Sequence, residues 1–182
     1  MREVHVSRID GIRVNSVESV DDFRGTFSKI HPPLEFQHNL DSVAISINPK
    51  IGTIRGIHFQ VEPFAEEKII TCLQGAIFDV LVDLRPHSNT FGKWASLELS
   101  QLNRLQVFLP KGIAHGFQTL NPNTIVQYFL SASFSAESSF SIDPFGDLGI
   151  EWPIASHVVS DKDASGGTFS FAAQKYSASI KD

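Results

Sequence analysis

The sequence predicts an all-β domain built as a sandwich or barrel. Three observations carry that expectation. Short runs of alternating or β-branched residues recur along most of the chain. Turn-forming residues separate them at intervals of about 8–12 residues, and amphipathic helical periodicity is scarce. Sequence order alone does not separate a jelly roll from an immunoglobulin-like sandwich.

The elements follow in order. A short helix is expected near Pro33 to Phe36. Ser42 to Ile47 (SVAISI) alternates as a half-buried strand does. Phe78 to Arg85 (FDVLVDLR) places Phe78, Val80, Val82 and Leu84 on one face and Asp79, Leu81, Asp83 and Arg85 on the other. Asp79 and Asp83 therefore read as outer-face or ion-paired strand residues. Trp94 to Leu99, Leu105 to Leu109 and Ile125 to Phe134 continue the strand pattern. Turns fall at Asn48-Pro49, Gln74-Gly75, Pro86 to Asn89, Pro110 to Gly112 and Asn121 to Asn123. From about Ser156 the chain is rich in Ser, Ala, Gly and Lys, and is expected to form a peripheral extension of a single domain spanning residues 1–182.

Composition bounds the function. A chain of 182 residues fits one domain. It can bury about 70% of its unfolded surface. With 42% hydrophobic and 19% charged residues, disorder and collagen-like structure are excluded. One cysteine precludes an internal disulfide and suggests a cytoplasmic protein. No apolar run approaches the ~20 residues of a membrane span, and Met1 to Asp10 lacks the apolar core of a signal peptide. The net charge of −5 argues against a nucleic-acid binder. An anionic small ligand would need a local cluster of Arg and Lys.

Two segments concentrate chemistry: Gly52-Thr-Ile-Arg-Gly-Ile-His58-Phe-Gln60 and Pro110-Lys-Gly-Ile-Ala-His115-Gly-Phe117. A glycine followed by five residues and a histidine, and later a Pro-x-Gly-x-x-His, resembles the paired motifs of the cupin superfamily. Cupins are double-sheet jelly rolls, also described as a double-stranded β-helix. Many cupins hold a transition metal through His-x-His, a following Glu and the later His. Here His58-Phe59-Gln60 replaces the second imidazole by an amide, and Glu62, Glu66 and Glu67 are poorly spaced to supply a carboxylate. A site of three protein ligands is therefore not expected.

A closer resemblance lies in Arg24-Gly25-Thr26-Phe27, Ile54 to Gln60, Lys68, Phe78 to Arg85, Pro110 to Phe117 and Gly149-Ile150-Glu151-Trp152-Pro153. Together these resemble the dTDP-4-dehydrorhamnose 3,5-epimerase family over roughly residues 18 to 163. The resemblance implies a nucleotide-diphosphate 4-keto-6-deoxy sugar as substrate, with epimerisation at C3, C5 or both. It implies no cofactor, because the ketone is itself the electron sink, and a homodimer.

The resemblance also implies roles. His58 matches the family's base, and Asp163 the carboxylate that orients it, with Asp161 as the competing assignment. Lys68 matches the cation beside the C4 oxygen, where a positive partner for an oxyanion contributes several kcal/mol, by analogy with ~3–4 kcal/mol per oxyanion-hole donor. Tyr128 matches the phenol that returns a proton, one of only two tyrosines in the chain. Arg55 matches a contact to the diphosphate or sugar, and Arg24 a diphosphate contact donated across a dimer interface. His115 matches a second barrel histidine supporting the sugar, and Gln60 is expected among the substrate-binding residues.

Departures from the family pattern cluster in the regions expected to hold the nucleotide and shape the sugar pocket. Lys29 stands where an acidic residue is common, and Ala44-Ile-Ser-Ile-Asn48-Pro replaces a Gln-x-Asn segment. Phe134 replaces an aromatic with a hydroxyl, and the stretch Ile142 to Phe145 replaces Trp-Asn-Asp. The rival expectations are a metal-dependent cupin oxygenase or isomerase, a catalytically silent sugar-nucleotide binding module, and a keto-isomerase that moves the carbonyl between C3 and C4.

Overall fold

The computed structural model describes residues 2–3, 9–30, 36 and 40–180. Its strands run β1 (Arg2–Glu3), β2 (Arg13–Ser16), β3 (Glu18–Asp22), β4 (Gly25–Lys29), β5 (Ser42–Asn48), β6 (Ile54–Gln60) and β7 (Lys68–Gln74). They continue as β8 (Ala76–Asp83), β9 (Trp94–Ser100), β10 (Leu105–Leu109), β11 (Ile113–Thr119), β12 (Thr124–Leu130) and β13 (Ser139–Ser141). Two helices close the chain, α1 (Asp161–Ala164) and α2 (Phe169–Ser179). Of the short helix expected near Pro33 to Phe36, only Phe36, a buried core residue, lies within the described residues.

The strands form a six-stranded sheet in the order β1-β2-β10-β7-β12-β5 and a five-stranded sheet in the order β13-β6-β11-β8-β9. The paired strands are antiparallel throughout. From β5 onward sequence neighbours alternate between the sheets, the β8–β9 hairpin apart, and the two layers face each other as the jelly roll that the cupin-like motifs predict. Strands β3 and β4 form a separate hairpin.

Alternation decides what lies between the sheets. Ile70, Cys72, Val107 and Val126 from the larger sheet meet Ile77, Leu81, Leu99 and Phe117 from the smaller one. The opposite face of the smaller sheet is buried as well. Val80, Val82 and Leu84 pack there against Ala172 and Tyr176 of α2, with Trp152 and Ile150 alongside. This corrects the reading of Asp79: its side of β8 is the barrel interior, and the purely apolar side is the covered exterior. Asp79 is ion-paired, but it is not an outer-face residue. Asp83 lies on the same side and is tied to Arg85, Ser88 and Thr90.

The stretch beyond Ser156 is a layer on the outside of the smaller sheet, fastened at several points. Thr168 caps α2 through the Phe171 N–H. Parallel bridges join Thr53 to Val158 and Ile142 to Gly167. From between them Asp163 is carried into the barrel wall.

Candidate active site

Two glycines set the geometry. Gly56 and Gly116 cross at the β6–β11 pairing, where a Cβ on Gly56 would stand 2.6 Å from Gly116 Cα and 2.7 Å from the His115 carbonyl oxygen. The close approach brings His58 and His115 opposite each other as cross-strand partners.

Nε2 of His58 lies 2.7 Å from Oδ1 of Asp163. Oδ2 of Asp163 accepts the Gly56 N–H at 3.2 Å, and the Ser160 hydroxyl caps α1 by accepting from the Asp163 N–H. Burial works to raise the Asp163 pKa, but the bonds from His58, Gly56 and Ser160 outweigh it and hold the carboxyl below its ordinary value. An ionised carboxylate only accepts, so in the neutral ring Nε2 carries the proton and Nδ1 keeps a lone pair. The His58 side chain is 39% exposed and that of Asp163 8%, so the ring reaches into the hollow from a shielded carboxylate. Between the two candidates the geometry selects Asp163; Asp161 is exposed.

His115 repeats the arrangement in a closed setting. Its Nε2 lies 2.6 Å from Oδ1 of Asp79, and both side chains are buried. Among the described residues Oδ2 of Asp79 has no hydrogen-bond partner. Burial pushes the Asp79 carboxyl up, against the opposing pull of His115.

The facing wall belongs to the six-stranded sheet. Tyr128 on β12 sets its ring edge-on to His115, with centroids 6.2 Å apart. Removal from water pushes its phenol well above the ordinary tyrosine value, so it holds its proton at neutral pH. Lys68 opens β7, with Nζ 3.0 Å from Oε1 of Glu66 and both side chains only 10% exposed. Arg55 donates from Nε to Oδ1 of buried Asn48 at 2.8 Å, and the Asn48 amide is held by the Ser46 and Thr124 carbonyls.

His58, His115, Lys68, Tyr128 and Arg55 thus line one cavity of about 350 Å³. Asp163 stands behind His58 rather than on the cavity wall, and two further expected residues lie apart from the cavity. Gln60 gives its amide to the Phe64 and Ser133 carbonyls and accepts the Ser135 N–H, so a substrate contact gives way to holding two loops in place. Arg24 projects from the β3–β4 hairpin and pairs with Asp22 at 2.6 Å. Sequence reasoning missed the inward placement of Asp79, the Glu66 partner of Lys68, the Asn48 support of Arg55 and the position of Lys162 on the rim. Among the described residues no group of three or more His, Cys, Asp or Glu could hold a metal ion, and no helix is long and apolar enough to cross a membrane.

Comparison with known proteins shows the family. A family model described as dTDP-4-dehydrorhamnose 3,5-epimerase matches residues 6–170. The dTDP-4-dehydrorhamnose 3,5-epimerase of Sinorhizobium fredii is 44% identical over 153 residues, covering 79% of this chain and 77% of that protein. The crystal structure of the Bacillus anthracis enzyme of the same name, with TDP and PPi bound, superposes with a TM-score of 0.83 at 36% identity, covering 91% of this chain and 98% of that one. A 3'-monoepimerase from Streptomyces bikiniensis in complex with dTDP-quinovose gives a TM-score of 0.85 at 27% identity, covering 94% and 90%. The chain belongs to the dTDP-4-dehydrorhamnose 3,5-epimerase family.

Proposed function

We propose that this protein epimerises a nucleotide-diphosphate 4-keto-6-deoxy sugar at C3, C5 or both, by removing the proton alpha to the C4 ketone. One observation carries the reading. A histidine with a free lone pair stands on one sheet, and a protonated phenol stands on the opposite sheet across the same cavity. Inversion at carbon needs this: a base on one face and an acid on the other.

In the first step Nδ1 of His58 takes the proton, the C–H pair becomes the enolate π bond, and the carbonyl pair moves onto the C4 oxygen. The Lys68 ammonium stabilises the resulting oxyanion. Asp163 stabilises the imidazolium that forms. In the second step Tyr128 protonates the same carbon from the other side and the carbonyl re-forms. Tyr128 then regains a proton from water and His58 loses one, so the net reaction is an isomerisation with no redox change. Arg55 and His115 hold the sugar and its diphosphate.

The reading extends to a homodimeric cytoplasmic enzyme. The β3–β4 hairpin exposes Val20, Phe27 and Phe23, the last at 98%, which a second copy would bury while receiving Arg24 at its own cavity.

The test is solvent deuterium exchange at C3 and C5, followed by NMR over a panel of 4-keto sugar nucleotides. Exchange with inversion supports the reading. Tight binding without exchange at either carbon would leave a sugar-nucleotide binding module instead.

A further inference from the structure

We propose that Glu66 is a specificity-determining residue that, beside Lys68, reads an α-hydroxy ketone: Lys68 donates to the C4 oxygen and Glu66 accepts from the hydroxyl on C3. The inference rests on the epimerase reading above.

Among the described residues, Glu66 is the one carboxylate that lines the cavity. Asp163 stands behind His58, and Asp79 is sealed against His115. Oε1 of Glu66 lies 3.0 Å from Nζ of Lys68, and each side chain is 10% exposed. Among the described residues Lys68 is the only partner of the Glu66 carboxylate. After this one bond the ammonium keeps further N–H donors and the carboxylate further lone pairs. The pair therefore presents a donor and an acceptor side by side, one hydrogen-bond length apart. The carbonyl oxygen of an α-hydroxy ketone and its neighbouring hydroxyl present the complement, an acceptor and a donor at a similar separation.

Charge points the same way. A lone lysine at this wall would draw any anion, the diphosphate included. With Glu66 beside it the pair is neutral, and the carboxylate repels a phosphate. That part of the wall is kept for the uncharged sugar ring.

The chain fixes the carboxylate in place. Glu66 and Lys68 both line the cavity, as side chains two apart on an extended segment do, and Glu67 between them does not. The Glu67 N–H donates to Oγ of Ser131 at 2.7 Å, and the Glu67 carbonyl accepts the Ser131 N–H at 3.2 Å. On the other side Ala65 is buried and the Gln60 amide holds the Phe64 carbonyl at 3.1 Å. An acceptor held this firmly cannot turn to another donor, so a substrate without the C3 hydroxyl leaves it unpaired and is rejected.

The test compares two matched substrates, a 4-keto-6-deoxy sugar nucleotide and its 3-deoxy counterpart, on wild type, Glu66→Ala and Glu66→Gln. Deuterium entry is followed at whichever of C5 and C3 wild type exchanges. The readout is the ratio of kcat/KM between the two substrates on one sample, which does not depend on how much of the sample is folded. Wild type is expected to prefer the hydroxylated sugar, and Glu66→Ala to lower that preference roughly 10–100-fold, the worth of a hydrogen bond to a charged group. Glu66→Gln, whose amide oxygen still accepts, falls between the two. Equal kcat/KM for both substrates on wild type overturns the assignment. So does a wild-type ratio retained in Glu66→Ala with both rates lowered together, the result for a carboxylate that only neutralises Lys68. Either result, with wild type still exchanging, removes Glu66 alone. Wild type that exchanges at neither carbon with any 4-keto sugar nucleotide removes the epimerase reading with it.

Discussion

His58 and His115 are direct cross-strand partners, and Nε2 of each meets a different carboxylate, Asp163 at 2.7 Å and Asp79 at 2.6 Å. The two pairs share one chemistry and differ in access. The His58 ring opens to the cavity, whereas the His115 pair is sealed. The first is suited to moving protons and the second to holding position.

That difference predicts separable phenotypes. His58→Ala lowers deuterium exchange by about 10²–10⁴-fold, the range for a positioned acid or base, and costs less stability than loss of His115, because Asp163 keeps the Gly56 N–H. His115→Ala leaves buried Asp79 without its hydrogen-bond partner and opens a void, costing about 1–3 kcal/mol of stability. Exchange rates and urea midpoints measured on both variants check the split. Equal stability losses would show that the two pairs are not distinct.

Tyr128→Phe keeps the ring against His115 and removes only the hydroxyl. Proton removal by His58 continues, while return of the proton to the opposite face fails. Epimerised product therefore forms more slowly than deuterium enters, by a factor on the order of 10²–10⁴. Parallel NMR integration of isotope and product measures the ratio. A ratio equal to that of wild type removes Tyr128 as the acid.

The strands with clean alternation were legible: β5, β9 and β10 lie within a residue or so of the segments expected from sequence. Of the strands that carry the site, β12 was legible within Ile125 to Phe134, but β6, β7 and β11 were not. β7 (KIITCLQ) is a near-continuous apolar run, and β6 and β11 are interrupted by Gly56 and Gly116, which alternation scoring reads as turns. Their motifs still marked His58 and His115. Alternation also cannot say which face of β8 is the interior, because both faces are buried, so of the two readings for Asp79, outer-face or ion-paired, only the structure selects the second. Helix α2 escaped notice because only Ala172 and Tyr176 of its eleven residues are buried, too few to set a helical period.

Gly56 is required by both conformation and space. Its φ is +117°, and a Cβ would collide with Gly116 Cα at 2.6 Å. Left-handed strain and overpacking each cost roughly 1–3 kcal/mol. Gly56→Ala is therefore expected to lose about 3 kcal/mol and to separate His58 from His115. Denaturant unfolding measures the first effect and loss of deuterium exchange the second. A fully stable, active Gly56→Ala would show that the crossing tolerates a side chain.

The two carboxylates shift in opposite directions, and stability should follow each in opposite senses. Asp163 is held below its ordinary value of 3.8. Its contribution is present above that value and disappears as pH falls through the folded value, hence below about pH 4. Asp79 is raised by burial above 3.8, so folding favours its protonated form, and that contribution fades as pH rises through the folded value. Asp163→Asn should flatten the acid side of the stability profile, and Asp79→Asn should flatten the rise in cost toward neutral pH. Urea midpoints collected from pH 3 to pH 8 on the two variants resolve the signs. A profile that moves the same way in both would overturn the opposite shifts of the two carboxylates.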